Sequence, residues 1–272
     1  MATPTTIYAT DDTWMAAANP TTNYGTSTTN KIGYSSSTGH YTGVFEFDTS
    51  GLTPADIVGA VFTIVRSGEW GASAESLTVG RCTPAFTEAG CTWNTYDGST
   101  SWTTAGGDMA TTEPTYTISV GNSSGNQSVD IKELVVDAIN KRSNALRILI
   151  KMDIDPAATA LATYKSRETA TSSHRPSILI TTATRVIWQG SVSGDLSNAL
   201  NWSTGSNPTA NDIALFRSGS VDVTSGSLTC SSCKIGKNYK GTIGSSSAFI
   251  EVAADTFTLA SAHAGIYVSL ND

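Results

Sequence analysis

Gly59-Ala60-Val61-Phe62-Thr63-Ile64-Val65 is the stretch on which the fold class turns. In an extended segment successive side chains point to opposite faces, so Ala60, Phe62 and Ile64 share one side and Val61, Thr63 and Val65 the other. Its β-branched residues suit a pleated surface, and a strand is expected over residues 59–65. Working outward, similar segments precede it at Ile7–Thr10, Lys31–Tyr34 and Gly43–Phe47. Leu77–Arg81, Tyr116–Val120, Leu146–Met152 and Ser177–Thr182 follow it. Clusters of Gly, Ser, Thr and Asn punctuate them, and strands at this density indicate a sandwich or barrel. One helix interrupts the series over Asp130–Asn140, where Ile131, Leu134, Val135 and Ala138 fall on one helical face. Asp130 is its expected cap, with Glu133 as capping-box partner.

Composition points the same way. Only 14% of the 272 residues are charged, against about a quarter in ordinary globular chains. Ser and Thr supply the polarity beside 24 glycines, a mixture that disfavours long helices with Lys, Glu and Arg on their solvent faces. The expected class is all-β: a jelly-roll β-sandwich with one short helix, followed by a smaller β-rich module. The net charge of −7 is opposite to what clamps a phosphate backbone, so a nucleic-acid partner is not expected. It also disfavours anionic lipid and, less strongly, polyanionic sugars. No apolar run approaches the roughly 18 residues of a membrane span, so membrane insertion is not expected. The opening residues, MATPTTIYAT, lack a basic and an apolar leader region. The expectation is either a removed leader or release by another route, such as a virus particle freed by lysis.

The texture changes after Thr181–Arg185, which divides the chain into residues 1–184 and 185–272. Strand candidates in the second part are Ile213–Phe216, Val221–Thr224, Leu228–Ile235, Phe249–Val252, Phe257–Ala260 and Ile266–Leu270. Ser-Gly turns recur between them, which suggests a β-solenoid segment or a small sandwich. Four cysteines fit two local disulfides, Cys82 to Cys91 and Cys230 to Cys233. A zinc site is the competing reading of Cys230-Ser-Ser-Cys233, although no second pair of that spacing exists, and buried free thiols are a third.

An ordered set of motifs runs through the first module. Asp12-Thr13-Trp14, Asn23-Tyr24-Gly25 and Lys31-Ile32-Gly33 open it, then Phe45-Glu46-Phe47-Asp48 and Pro54 ahead of Ile57–Val65. Phe86-Thr87-Glu88, Thr92-Trp93-Asn94, Trp102 and Gly106-Gly107-Asp108 come next, then Val129-Asp130-Ile131 with Leu134 and Val135. Tyr164-Lys165-Ser166-Arg167-Glu168 and Arg175-Pro176-Ser177-Ile178 close it. In this order the motifs resemble the DNRLRE-type family of jelly-roll β-sandwiches, which includes carbohydrate-binding modules, over about residues 5–183. Glu46 departs from the pattern, since many members have Arg there. The weaker resemblance of Trp188-Gln189-Gly190, Asn201-Trp202-Ser203, Pro208, Asp212 and Phe216 is to opening segments of β-solenoid surface proteins. Trp93 is expected to fill the core, and Arg167 and Glu168, read as lying on a strand, with Arg175 shortly after, to pin loops to the sandwich edge.

Catalytic patterns are missing. His40, His174 and His263 have no metal-type spacing, and no nucleophile elbow, zinc-protease motif or phosphate loop occurs. Glu46 and Asp48 share a strand face but lie too close for paired glycosidase acids, and a solvated or salt-bridged strand end explains them. No catalytic residue and no obligatory cofactor are therefore expected. Sugar binding would use aromatic faces, for which Trp14, Tyr34, Tyr41, Trp70, Tyr96 and Trp102 are candidates beside their alternative as packing residues. Asp11, Asp12, Asp153 and Asp155 are candidates for calcium, because hard cations take oxygen ligands; solvated turns are the alternative. The expected role is a non-catalytic structural or adhesive protein on a virion or extracellular surface, such as a phage decoration or fibre component. Residues 185–272 would dock it to other subunits or a particle, leaving the sandwich free to meet a glycan. The alternative is a carbohydrate-binding module of a secreted bacterial polysaccharide-degrading or cell-surface protein.

Overall fold

The structure is a computed structural model and describes residues 4–68, 75–120, 124–154, 156, 159–219, 221–244 and 252–259. The chain forms two compact units, Pro4–Thr181 and the residues from Thr182 on. The first contains β1 (Thr5–Tyr8), β2 (Asp11–Ala16), β3 (Thr29–Ser35), β4 (Gly39–Asp48), β5 (Ile57–Gly68) and β6 (Glu75–Arg81). It continues with β7 (Tyr116–Val120), β8 (Gly125–Asp130), α1 (Lys132–Lys141), β9 (Ala145–Lys151), β10 (Ala160–Lys165) and β11 (Ser177–Thr182). These strands follow the order β1-β11-β5-β10-β3-β4-β9-β6-β7, with β8 added on β5 and β2 on β4. The sheet curls over as a β-sandwich, and the pairs β1–β11, β3–β10, β5–β10, β2–β4, β3–β4, β4–β9, β5–β8, β6–β7 and β6–β9 are antiparallel.

The alternation in the opening stretch is what the core uses. Ala60, Phe62 and Ile64 of β5 are fully buried with Phe45 and Phe47 of β4, and Phe62 meets both rings edge-on at 5.9 Å. Opposite-face residues Val61, Thr63 and Val65 pair with β8 and stay partly exposed. Helix α1 buries Leu134, Val135 and Ala138 against the same core. Its start differs from expectation: it begins at Lys132, and Asp130 reaches past Ile131 to accept the Lys132 N–H at 2.9 Å. Glu133 sits beside Tyr116 rather than in a capping box.

β8 and β10 are additional strands that the sequence did not announce, and β2 is the short strand that the family resemblance, not the local pattern, implied at Asp12-Thr13-Trp14. A second core explains β2. Met15, Val44 and Leu149 point to the other side of β2, β4 and β9, where Cys82, Phe86, Cys91 and Trp102 cover them. The covering residues belong to the long connection between β6 and β7, which local polar bonds hold in shape. Asp97 accepts the N–H groups of Ser99 and Thr100, Asp108 accepts those of Thr103 and Thr104, and Trp102 Nε1 donates to the Thr92 carbonyl at 2.8 Å. Gly106 and Gly107 have φ of 91° and 116°, where a side chain is strained, and their Cβ positions would lie 2.6 Å from the Trp93 ring and 2.2 Å from Leu149. That crowding gives the Gly-Gly-Asp turn its composition.

The second unit contains β12 (Arg185–Ile187), β13 (Ile213–Gly219), β14 (Leu228–Tyr239) and β15 (Val252–Leu259), paired in chain order and all parallel. Among the described residues no helix longer than one 3-10 turn lies between these strands, and parallel pairing in chain order is the pattern of solenoid rungs rather than of an antiparallel small sandwich. Val186, Ala214 and Cys233 stack in register, as do Phe216 and Ile235, all buried. Trp188, Trp202, Phe216 and Tyr239 form a continuous run of ring contacts at 5.1–5.9 Å. Fully buried Asn201 accepts the N–H groups of Val192 and Ser193 and donates to Ser193 and the Asp195 carbonyl, so its carboxamide is satisfied. The strand expected at Val221–Thr224 reduces to a single parallel bridge from Val223 to Ile243. Most of the expected strand at Phe249–Val252, and all of Ile266–Leu270, lie outside the described residues. No helix among the described residues is long and apolar enough to cross a membrane.

Candidate functional site

Alternation along β2 places Asp12 and Trp14 on one face and Thr13 and Met15 on the other. Two clusters grow from the first of these faces. Around Trp14, Tyr24 stacks on the indole at 3.7 Å and 14°, Tyr41 lies 5.8 Å away, and the Lys31 ammonium stands 5.9 Å from the ring centroid. Trp14 is only 7% exposed, whereas Tyr24, Lys31 and Tyr41 are each partly open to solvent. The indole therefore backs the cluster, and the tyrosines and the lysine present its surface. A cation held over an indole is favoured by the negative face of the ring.

Around Asp12 the chemistry is ionic. The Asp12 carboxylate is 1% exposed and accepts the Arg167 N–H at 2.8 Å, while its own N–H donates to Glu88 at 3.0 Å. Arg167 grips Glu88 with Nε and a terminal nitrogen at 3.2 and 2.9 Å and reaches Glu168 at 3.2 Å. Burial pushes the Asp12 carboxyl up to about 7, against the lowering effect of the Arg167 N–H and with Glu168 adding to the rise. Asn30, from β3, is 1% exposed beside Asp12, and its side-chain hydrogen bond favours the ionised Asp12 carboxyl. One Glu168 oxygen, Oε2, is buried without a partner. Arg167 and Glu168 lie just past the end of β10, not on a strand as the sequence suggested. Arg167 does tie the covering connection to the sandwich edge, with help from Asn23, whose Nδ2 donates to the Glu88 and Cys91 carbonyls at 2.7 Å.

The other sequence candidates are placed as follows. Tyr34 packs partly against the main core and meets His40 edge-on at 5.1 Å, across the β3–β4 pairing. Tyr41 shares a hydrogen bond of 2.8 Å with Thr38. Trp102 is buried, and Tyr96 leans on its edge at 5.6 Å. Trp70 and Asp155 lie outside the described residues. Asp153 pairs with Lys151 at 2.9 Å on an exposed strand end, away from the Asp12 group, and Asp11 points to the face opposite Asp12. Glu46 and Asp48 are accounted for structurally: Glu46 pairs with Arg147 at 2.6 Å, and Asp48 accepts the N–H and hydroxyl of Ser50. All four cysteines are buried as thiols, and Cys230 and Cys233 share a side-chain hydrogen bond. Cys82 and Cys91 share the second core, where burial pushes the Cys82 thiol up to about 12 and the Cys91 thiol up as well, so neither is a ready nucleophile.

Tyr24, Asn30, Lys31, Glu88 and Glu168 were not singled out as site residues from the sequence. Tyr24, Lys31, Glu88 and Glu168 stood in motifs of the first module, but only the fold shows that they meet at β2. No curated protein sequence matches the chain. Residues 3–182, which take in all of the sandwich described above, match carbohydrate-binding module family 96, and the chain belongs to that family.

Proposed function

We propose that the first unit is a glycan-binding module acting outside the cell or at its surface, and that Tyr24, Lys31 and Tyr41, backed by Trp14, are its contact surface. Family membership supports the class of ligand. The observation that carries the location is the stacked Trp14–Tyr24 pair with Tyr41 and Lys31 beside it, at the edge where β2 and β3 both meet β4. Aromatic faces pack on the CH faces of pyranose rings, and a neighbouring ammonium donates to hydroxyl or carboxylate oxygens. The DNRLRE-type resemblance spans the same stretch and supports the same reading. The particle-decoration role expected from composition has no support in the family, whose description is of sugar binding.

Affinity electrophoresis of the full chain through gels carrying single neutral or acidic polysaccharides tests this. Retardation by at least one polysaccharide is expected, and Y24A/Y41A should abolish it while preserving the native unfolding transition. Unhindered migration through every polysaccharide would refute glycan binding. Retardation unchanged in the double variant would refute the location.

A further inference from the structure

We infer that Asn23 is a positioning residue: its carboxamide holds Tyr24 flat on Trp14 and thereby sets the shape of the sugar-contact surface. The second part of that statement rests on the glycan reading above; the first does not. Trp14 is fixed by the pairing of β2 with β4, whereas Tyr24 lies in the loop between β2 and β3. Its ring nevertheless stacks on the indole at 3.7 Å and 14°. A side chain on a loop keeps such a geometry only where neighbouring hydrogen bonds lock the backbone that carries it.

Asn23 supplies that lock with both ends of its carboxamide. Nδ2 donates to the carbonyls of Glu88 and Cys91 at 2.7 Å each, and Oδ1 accepts the Gly25 N–H at 3.1 Å. Both amide hydrogens and the oxygen are thus engaged. Tyr24 sits inside the small ring that Asn23 closes on its own backbone two residues on, and that ring is bonded to the covering connection. Gly25 completes the contact. A Cβ there would lie 2.5 Å from the Glu88 carbonyl oxygen and 2.8 Å from Glu88 Cγ, so loop and connection meet with no room for a side chain between them.

The anchor on the far side is itself tied to β2. Glu88 accepts the Asp12 N–H and is gripped by Arg167, so the carbonyl that receives Asn23 belongs to a residue bonded two positions from Trp14 on the same strand. Other bonds hold the ends of the loop. The Asn94 N–H donates to the Pro20 carbonyl at 3.1 Å, and the Ser166 hydroxyl donates to the Ser27 carbonyl at 2.7 Å. Pro20 and Ser27 stay fixed without Asn23; the stretch between them, which carries Tyr24, does not. Loss of the carboxamide is therefore felt at the Trp14–Tyr24 stack before it is felt in the sandwich.

The test reads the stack first, without ligand. Near-UV circular dichroism of the full chain is compared for the parent, Y24A, N23A and N23A/Y24A. The band lost in Y24A is the signature of the stack. N23A should lose roughly half of it or more, and N23A/Y24A no more than Y24A alone, because Asn23 acts through Tyr24. Affinity electrophoresis through a polysaccharide that retards the parent should show about threefold weaker retardation for N23A, again with nothing added to Y24A. N23S, whose hydroxyl can still accept the Gly25 N–H, should fall between N23A and the parent in both readouts, and it decides the matter should N23A not fold. A merely structural role predicts a lower urea midpoint with the parental band and parental retardation, and that result overturns the proposal, as do effects of N23A and Y24A that simply add. If no polysaccharide retards the parent, the glycan reading falls and the dichroism alone decides whether Asn23 positions Tyr24.

Discussion

Glu46 stands directly opposite Arg147 in the β4–β9 register, and the two side chains form a fork with Nε to Oε2 at 2.6 Å and a terminal nitrogen to Oε1 at 3.4 Å. Both are about three-quarters covered, with 22% and 24% of their side chains exposed. Two unit charges about 4 Å apart gain roughly 4 kcal/mol at an effective dielectric of about 20, before desolvation and side-chain ordering are subtracted. An exposed pair retains at most about 1 kcal/mol, and charge-assisted bonds at partly buried sites about 1.5–3 kcal/mol. A coupling of about 1–2 kcal/mol is therefore expected between Glu46 and Arg147. E46R, which restores the residue common in the resembling family, places two guanidiniums face to face and should cost about 2–3 kcal/mol. The reversed pair E46R/R147E should recover to within about 1 kcal/mol of the parent. Urea unfolding of the full chain, followed through the transition of the first unit, measures the double-mutant cycle. At about 2–4 °C per kcal/mol for a unit of this size, the coupling should also appear as a thermal shift of about 2–8 °C. A coupling below about 0.3 kcal/mol, or a reversed pair no better than E46R alone, would refute the reasoning.

Other outcomes follow from the same geometry. G107A must hold a side chain at a φ of 116° with its Cβ 2.2 Å from Leu149, and should lower first-unit stability by more than about 2 kcal/mol in urea unfolding. N201A removes four hydrogen bonds at a fully buried position and should destabilise the second unit by about 2–4 kcal/mol, seen as an earlier transition in its thermal unfolding. Asp97 is held at about 2 by the N–H groups of Thr100 and Ser99, below its unfolded value near 3.8, so its contribution is present above pH 4 and is lost as pH falls from roughly 4 towards 2. D97N should flatten that part of the stability–pH curve. Non-reducing peptide mapping after oxidation should link Cys82 to Cys91, which share one buried cluster; free thiols at both positions after exposure to oxidant would count against that staple.

How much was legible depended on how much apolar signal each strand carries in its own residues. β5, β7 and β11 were read from sequence because one side of each meets the core and hydrophobic alternation follows from that. β2 was not read as a strand from its pattern, because five of its six residues are buried, Met15 in the second core and Asp12 and Trp14 under the ionic and aromatic clusters, and the alternation vanishes. β8, Gly-Asn-Gln-Ser-Val-Asp, has almost no apolar signal and is a strand because β5 offers it a backbone ladder. The solenoid rungs escaped as a repeat because the register joins Arg185, Ile213, Ser232 and Thr256 at unequal intervals. Parallel pairing asks only for compatible inward side chains, not a fixed period.

The sequence by itself determined the all-β class, the change of texture near residue 184 and the motifs of the first unit, since composition and local alternation are one-dimensional properties. Tertiary structure decided the site. Asp11 and Asp12, adjacent in the chain, were grouped as partners, but neighbouring strand residues point to opposite faces. Asp12 instead meets Arg167, 155 positions away, and the Glu88 that Arg167 holds. Such pairings arise when the sheet curls and the long connection between β6 and β7 folds back over it, and no local periodicity encodes that closure.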